Sequence, residues 1–117
     1  MGSRDDIGRH GEALTAGYLH RKGRVVLQRR YRCREGEIDL IARDGGTLCF
    51  VEVKTRTNIA MGLPREYVGP QKQAHLRAAA ARYLSEKGID CPARFDVAEI
   101  YIDPAGKGYI HYIENAF

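Results

Sequence analysis

Four charged side chains interrupt an otherwise apolar hairpin in the first half of the chain. Residues 36–56 read GEIDLIARDGGTLCFVEVKTR, and the apolar segments 38–42 and 47–55 flank the turn signal Arg-Asp-Gly-Gly. This pattern predicts a β-hairpin. Residues two apart in a strand share a face, so each pair of charges is expected to project from one side of its strand. The pairs are Glu37 with Asp39 and Glu52 with Lys54.

Asp39 and Glu52 are expected on adjacent strands, near the same end of a mostly apolar sheet. Burying a lone carboxylate is costly unless it is paired or binds a metal. Mg²⁺ and Mn²⁺ favour oxygen ligands, and two strand carboxylates with the main-chain oxygen of Val53 could supply them. Lys54, on the face of Glu52, could orient a water molecule and stabilise the charge on a phosphoryl group under attack. These residues therefore fit a metal-dependent phosphodiesterase site.

The same side chains also fit a salt-bridged sheet edge without catalysis, with Lys54 paired to Glu52 or Asp39. Glu-x-Lys occurs by chance in many strands. What favours a site is the combination of Glu-x-Asp, a turn, an apolar strand carrying Glu-x-Lys, and a preceding helix that presents a glutamate. Residue chemistry alone leaves both interpretations open.

The preceding helix is predicted for residues 5–22, with Asp5 or Asp6 as N-cap and Gly23 ending it. Glu12 lies beside its apolar stripe, among small and apolar neighbours on its own i±4 row. A helix glutamate is usually solvated, and without other information that is the favoured interpretation of Glu12.

The densest basic run of the protein surrounds the next strand, predicted for residues 25–31. A run of this kind usually marks a solvated helix end and an edge strand protected by charge. Beside an acidic cluster, however, a cationic rim is what a phosphodiester substrate needs to approach. The run comprises Arg21, Lys22, Arg24, Arg29, Arg30, Arg32 and Arg34.

The remaining pattern predicts a layered α/β domain. A loop over residues 57–69 is long enough to be mobile or functional. A second helix then opens at Pro70 and ends before Gly88, and strands follow at residues 94–102 and 109–113. The order is therefore α-β-β-β-α-β-β. The central strand is apolar on both faces, which predicts a mixed sheet with helices on two sides.

Composition limits the protein to one domain of ordinary globular character. The chain has 117 residues, 44% of them hydrophobic and 29% charged, with a net charge of +4. The three cysteines are widely spaced, so reduced and mostly buried thiols are expected. No apolar run approaches a membrane span, and residues 1–6 lack a signal peptide's apolar region, so the expected location is cytoplasmic. The four histidines show no metal-ligand spacing.

Several short motifs together resemble the YraN-type family of bacterial proteins. They are Gly11-Glu12, REGEIDLI at residues 34–41, FVEVKTR at 50–56, Pro70-x-Lys72, RFD at 94–96 and the terminal NAF. That family resembles the endonuclease fold of the PD-(D/E)xK superfamily, with archaeal Holliday-junction resolvases as functional analogues. The resemblance spans nearly the whole chain and implies a restriction-endonuclease-like layered domain with a central mixed β-sheet.

By position, the resemblance makes Asp39 and Glu52 metal-binding carboxylates and Lys54 the superfamily lysine. It makes Glu12 an additional ligand or water-holding group, which reverses the interpretation from residue type alone. Ile38 stands where the superfamily's namesake proline precedes the aspartate. Membership of a fold does not by itself establish activity. The second-tier candidates are Glu37 and Gln71.

The sequence thus predicts a Mg²⁺- or Mn²⁺-dependent endonuclease that acts on DNA, with branched and junction structures as candidate substrates. The alternative is a non-catalytic nucleic-acid-binding protein that keeps the nuclease fold. A homodimer is expected, because a four-way junction presents two equivalent strands to a symmetric enzyme. The expected phosphate contacts are Arg29, Arg30, Arg32, Arg34, Arg56, Arg65 and Lys72.

Overall fold

The computed structural model describes residues 4–56 and 68–117, with side chains from residue 8 onward. Its elements follow the expected order α-β-β-β-α-β-β. They are α1 (Arg4–Arg21), β1 (Val25–Cys33), β2 (Gly36–Asp44), β3 (Thr47–Arg56), α2 (Pro70–Lys87), β4 (Ala93–Ile102) and β5 (Gly108–Ile113).

The strands form one mixed five-stranded sheet whose spatial order is the chain order, β1-β2-β3-β4-β5. The pairs β1–β2, β2–β3 and β4–β5 are antiparallel. The pair β3–β4 is parallel, since the connection between these strands runs through α2. This arrangement confirms the mixed sheet and leaves β1 and β5 as the two edge strands.

Each face of the sheet carries its own hydrophobic cluster. On one face, Phe50 packs with Leu76, Ala79 and Tyr83 of α2. On the opposite face, the cluster contains Leu19 of α1 together with residues of the sheet. The alternation along β3 explains this division, because Phe50 belongs to the first cluster while Cys49 and Val51 belong to the second. The prediction of a central strand covered on both sides is confirmed.

The predicted boundaries of α2 agree with the structure. Pro70 stands at the start, where a missing N–H costs nothing, and Gly88 ends the helix in the left-handed conformation at φ 62°. The backbone N–H of Gly88 and that of Ile89 bond to Ser85 and Leu84 carbonyls, respectively. The loop expected at residues 57–69 lies, up to residue 67, outside the described residues.

Two irregularities of the backbone near Asp39 of β2 do not follow from the sequence pattern. Arg30 of β1, directly across from Asp39, has φ 52°, a conformation that costs a non-glycine residue about 1 kcal/mol or more. In β2, Ile38 packs in the α2-side cluster and Leu40 in the α1-side cluster. The two-residue alternation of β2 is therefore interrupted at Asp39.

Both described helices carry too many polar residues to cross a membrane as apolar spans.

Candidate functional site

Asp39 and Glu52 occupy facing positions at the point where β2 and β3 separate. The regular pairing of the two strands ends at Leu40 with Val51, so the next position on each strand holds one of the two carboxylates. There the Asp39 side chain replaces a backbone partner, since its Oδ2 accepts the Val53 N–H at 2.8 Å. The strands thus open at an acidic pair instead of continuing as a sheet.

The two carboxyl groups have opposite pKa shifts. Burial, together with a hydrogen bond to Glu52 and the charge of that residue, raises the pKa of Asp39 to about 8. Burial opposes ionisation of Glu52 as well, but its hydrogen bond from Asp39 and the nearby Lys72 ammonium lower the pKa of Glu52. At neutral pH the pair therefore holds one proton, carried by Asp39 and donated to Glu52.

Glu52 is almost fully buried, with 5% of its surface exposed. Its Oε2 lies 3.1 Å from Lys72 Nζ at the start of α2, which is an ion-pair distance. Among the described residues, however, no donor is aligned on this buried oxygen for a hydrogen bond. Lys72 therefore forms an ion pair with Glu52 but does not donate a well-aligned hydrogen bond to Oε2 of that residue.

Glu12 reaches the same region from the opposite face of the sheet. It is close enough for its charge to raise the pKa of Asp39. Its own carboxylate is ion-paired, however, with Oε1 3.0 Å from Nε of Arg30, and only 13% of the side chain is exposed. Arg30, the residue with the left-handed backbone, is therefore also the residue that ion-pairs with Glu12 of α1.

Gly11 determines how closely α1 approaches the sheet at this point. A Cβ at this position would overlap Oγ1 of Thr55 and lie 3.3 Å from Cγ1 of Val53. A glycine therefore lets the helix lie directly on the last residues of β3, and Glu12 follows immediately. The predicted Gly-Glu pair thus has a physical basis in helix–strand packing.

The donor set suits a hard divalent cation. When the two facing carboxylates are both ionised they repel each other, and a cation that takes the place of the shared proton would offset this repulsion. Mg²⁺ commonly uses one or two carboxylates and completes its shell with water. Among the residues that the structure describes, no group of three Asp, Glu, His or Cys side chains converges as metal ligands. Asp39 and Glu52 are thus brought together, and Glu12 is not joined to them as a third ligand.

A family model described as an uncharacterised protein family, UPF0102, matches residues 11–100. The chain belongs to the UPF0102 family. Relatives of the same description are 46% identical in Geobacter sulfurreducens, covering 95% of this chain and 88% of the relative. A relative in Chlorobium chlorochromatii is 48% identical, over 96% of this chain and 91% of the relative. These matches confirm the resemblance seen in the short motifs, which is the YraN-type family.

The seven basic residues expected to contact phosphates differ in how far other side chains of this UPF0102 chain already engage them. Arg29 and Arg34 are exposed. Arg30 is paired to Glu12, and Arg32 Nε lies 2.7 Å from Glu37. Two further members are partly engaged: Lys72 lies on Glu52, and Arg56 has a contact of its own. Arg65 lies outside the described residues.

Glu37 and Gln71, the second-tier candidates, lie at the margin. Glu37 forms a surface ion pair with Arg32, and 43% of its side chain is exposed. Gln71 is exposed in the first turn of α2. Neither forms a hydrogen bond or ion pair with the acidic pair among the described residues, and the interaction that the structure gives Glu37 is its salt bridge with Arg32.

Two features of the UPF0102 fold were not anticipated. Arg24 and Arg94 form an ion-pair cluster with Asp44, Asp96 and Glu114 at the turn end of the hairpin. Arg24, which belongs to the basic run, is therefore ion-paired within the fold.

The second feature is a buried Glu99 bonded to His111, and the register places Glu99 beside Lys54. Alternation along β4 could have indicated Glu99, but its partner strand could not be read from spacing.

Proposed function

We propose that this UPF0102 protein is a metal-dependent endonuclease that hydrolyses phosphodiester bonds of DNA. The observation that carries the proposal is the pair formed by the half-buried Asp39 and the buried Glu52 at the opening of β2 and β3, with Lys54 on the face of Glu52. Placing two acidic groups side by side with little water around them lowers fold stability, and perturbed carboxyl groups of this kind cluster at functional sites.

Asp39, Glu52 and the main-chain oxygen of Val53 would hold the cation. When bound, Mg²⁺ or Mn²⁺ supplies positive charge that stabilises a phosphodiester under attack. Asp39 must lose its proton for this, and Glu52 is already ionised. The role of the pair is therefore to present two negative charges at a fixed position, with the carboxylate of Glu52 shielded from water.

Two lysines provide the mobile positive charge of the site. Lys54 is half-buried and follows Glu52 by two residues on the same strand face. Its ammonium would hold the attacking water and stabilise the charge that develops on the phosphoryl oxygens. Without a cation, Lys72 is ion-paired with Glu52, and it would turn toward a substrate phosphate once the cation is bound.

Glu12 has a conditional role in this scheme. Its ion pair with Arg30 holds it close to Asp39 but away from the cation position. Binding of a DNA phosphate to Arg30 would release Glu12 to hold water or to join the ligands. The proposed phosphate contacts are the exposed Arg29 and Arg34 and the half-buried Arg56, with Arg32 and Lys72 becoming available as their pairs open.

The direct test is cleavage of branched and linear DNA with Mg²⁺ or Mn²⁺. We expect cleavage by the wild-type protein and a loss of at least about 100-fold in Asp39→Asn and in Lys54→Ala. Glu37→Gln is the matched control, because it removes a surface carboxylate from the same strand. Equal cleavage by the wild-type protein and both site variants would indicate a contaminant and refute the assignment.

A non-catalytic nucleic-acid-binding function is the second candidate. The observation that favours it is the Glu12–Arg30 ion pair, which keeps a third carboxylate out of the ligand set. This function predicts salt-dependent DNA binding that needs no metal and does not change in Lys54→Ala beyond the loss of one charge. Binding titrations at two salt concentrations, with and without EDTA, separate the two candidates.

A symmetric homodimer is part of the proposal, because paired cutting of a junction requires two equivalent sites. Small-angle scattering at high protein concentration tests it. A dimer mass is expected, and a monomer at all concentrations would refute this part alone.

A further inference from the structure

Two exposed rings lie side by side on edge strand β5. Tyr109 has 48% of its surface exposed, and the side chain of His111 is 66% exposed. Residues two apart in a strand are separated by roughly 6.6 Å and point to the same side. Their neighbours Ile110 and Tyr112 pack against the α1-side cluster, so the two rings face away from α1.

This is the sheet face that carries Glu52 and Lys54. In the register of the sheet, Lys54 is level with Glu99, and Glu99 is level with His111. Level residues in adjacent strands share a face. With about 4.8 Å between neighbouring strands, His111 lies roughly 10 Å from Lys54 along this row.

The orientation of the His111 ring is fixed by Glu99 on the adjacent strand β4. Its Nδ1 lies 3.0 Å from Oε1 of Glu99, a carboxylate in a residue that is only 6% exposed. A buried carboxylate that fixes an exposed ring limits its rotation, as in other histidine–carboxylate pairs. Tyr109 is held less firmly, by a 3.4 Å contact from its hydroxyl to Asp103 and by Lys107 5.4 Å from its ring centroid.

We propose that Tyr109 and His111 are stacking platforms for two unpaired bases of the substrate strand, on the sheet face that carries Glu52 and Lys54. Exposed aromatic and imidazole rings on a sheet face are a common means of binding single-stranded nucleic acid, because every base has a flat face. A base in a duplex is already stacked and cannot use them. The inference rests on the proposed nuclease function and specifies its substrate class as DNA with an unpaired stretch, such as a fork or flap.

The first measurement is fluorescence anisotropy of a forked DNA and of a blunt duplex of equal charge, in EDTA so that no cleavage occurs. The wild-type protein should bind the fork more tightly. Tyr109→Leu should weaken fork binding by about tenfold and leave duplex binding unchanged, and Tyr109→Phe should retain wild-type affinity. His111→Leu should resemble Tyr109→Leu, while His20→Leu on α1 is the control for loss of an exposed histidine.

The second measurement reports stacking itself. A fork with 2-aminopurine at each unpaired position in turn should show fluorescence quenching by the wild-type protein at neighbouring positions, and the quenching should be lost in Tyr109→Leu. This variant changes an exposed residue, and a circular dichroism melt confirms its fold.

The outcomes separate the two proposals. Wild-type cleavage with no difference between fork and duplex, or with unchanged fork binding in Tyr109→Leu, overturns the stacking inference and leaves the nuclease function standing. Absence of any DNA binding or cleavage by the wild-type protein overturns both.

Discussion

Asp39 accepts a hydrogen bond from the backbone N–H of Val53, at 2.8 Å, across the opening between β2 and β3. The side chain that is proposed to hold a cation thus also completes the backbone hydrogen bonding of the residue whose carbonyl is its proposed co-ligand. One contact couples the position of the carboxylate to the strand end, and this makes Asp39 the residue on which the site depends most.

The raised pKa of Asp39 predicts a specific pH dependence of stability. Its pKa is 3.8 ordinarily and about 8 in the fold. Below pH 4 both states hold the proton, whereas between these values the unfolded chain loses it and the folded chain keeps it. The free energy of unfolding should therefore fall as pH rises from 4 to 8 and level off above. The lowered pKa of Glu52 contributes stability that is lost only at acidic pH, so it does not offset this slope.

Asp39→Asn should remove that slope, because an amide keeps the Val53 acceptor without titrating. We expect the variant to exceed the wild-type protein by at least about 1 kcal/mol at pH 8 and to match it more closely at pH 5. Urea unfolding at both pH values, without divalent cations, is the measurement. Parallel pH profiles for the two proteins would mean that Asp39 titrates normally in the fold.

Gly11→Ala should separate α1 from β3. The added methyl group overlaps the Thr55 hydroxyl, which costs about 1–3 kcal/mol against a gain in helix propensity of about 1 kcal/mol. We expect a net loss of stability and a larger loss of cleavage, because Glu12 moves with the helix. Gly8→Ala is the control, since nothing lies within 4 Å of its added carbon. It should be neutral or stabilising, and an equal response of the two variants would contradict the close packing.

Lys72→Gln should strengthen cation binding. The ammonium lies 3.1 Å from Glu52 Oε2 and competes with a divalent cation for that oxygen. Its removal should tighten Mn²⁺ binding by roughly tenfold, or about 1.4 kcal/mol, and lower the stability of the metal-free protein. Lys87→Gln, at the other end of α2, makes the same change in net charge and should leave Mn²⁺ binding unchanged. Weaker binding in Lys72→Gln would show that the lysine supports the cation site.

The sequence predicts much of the fold because its signals are local. Pro70 and Gly88 mark the ends of α2, and the Gly-rich turn places Asp39 opposite Glu52 at nearly equal distances along the two strands. The facing acidic pair was therefore predictable from chain spacing alone.

The partners of Glu12 and Glu52 were not predictable in the same way. Arg30 and Lys72 reach them from a different strand and a different helix, and these contacts depend on how α1 and α2 cross the sheet. The left-handed backbone of Arg30 has no sequence signal, since arginine rarely adopts it. The Glu99–His111 bond likewise depends on the register of β4 with β5.

Calorimetric titration of Mn²⁺ into the metal-free protein tests the central claim most directly. We expect the wild-type protein to bind Mn²⁺ at one site per chain, with proton release and with affinity that rises from pH 6 to pH 8 as Asp39 loses its proton. Glu52→Gln and Asp39→Asn should bind at least about tenfold more weakly, and Glu37→Gln should bind normally. No uptake by the wild-type protein, or equal uptake by all four proteins, would contradict a metal site at Asp39 and Glu52.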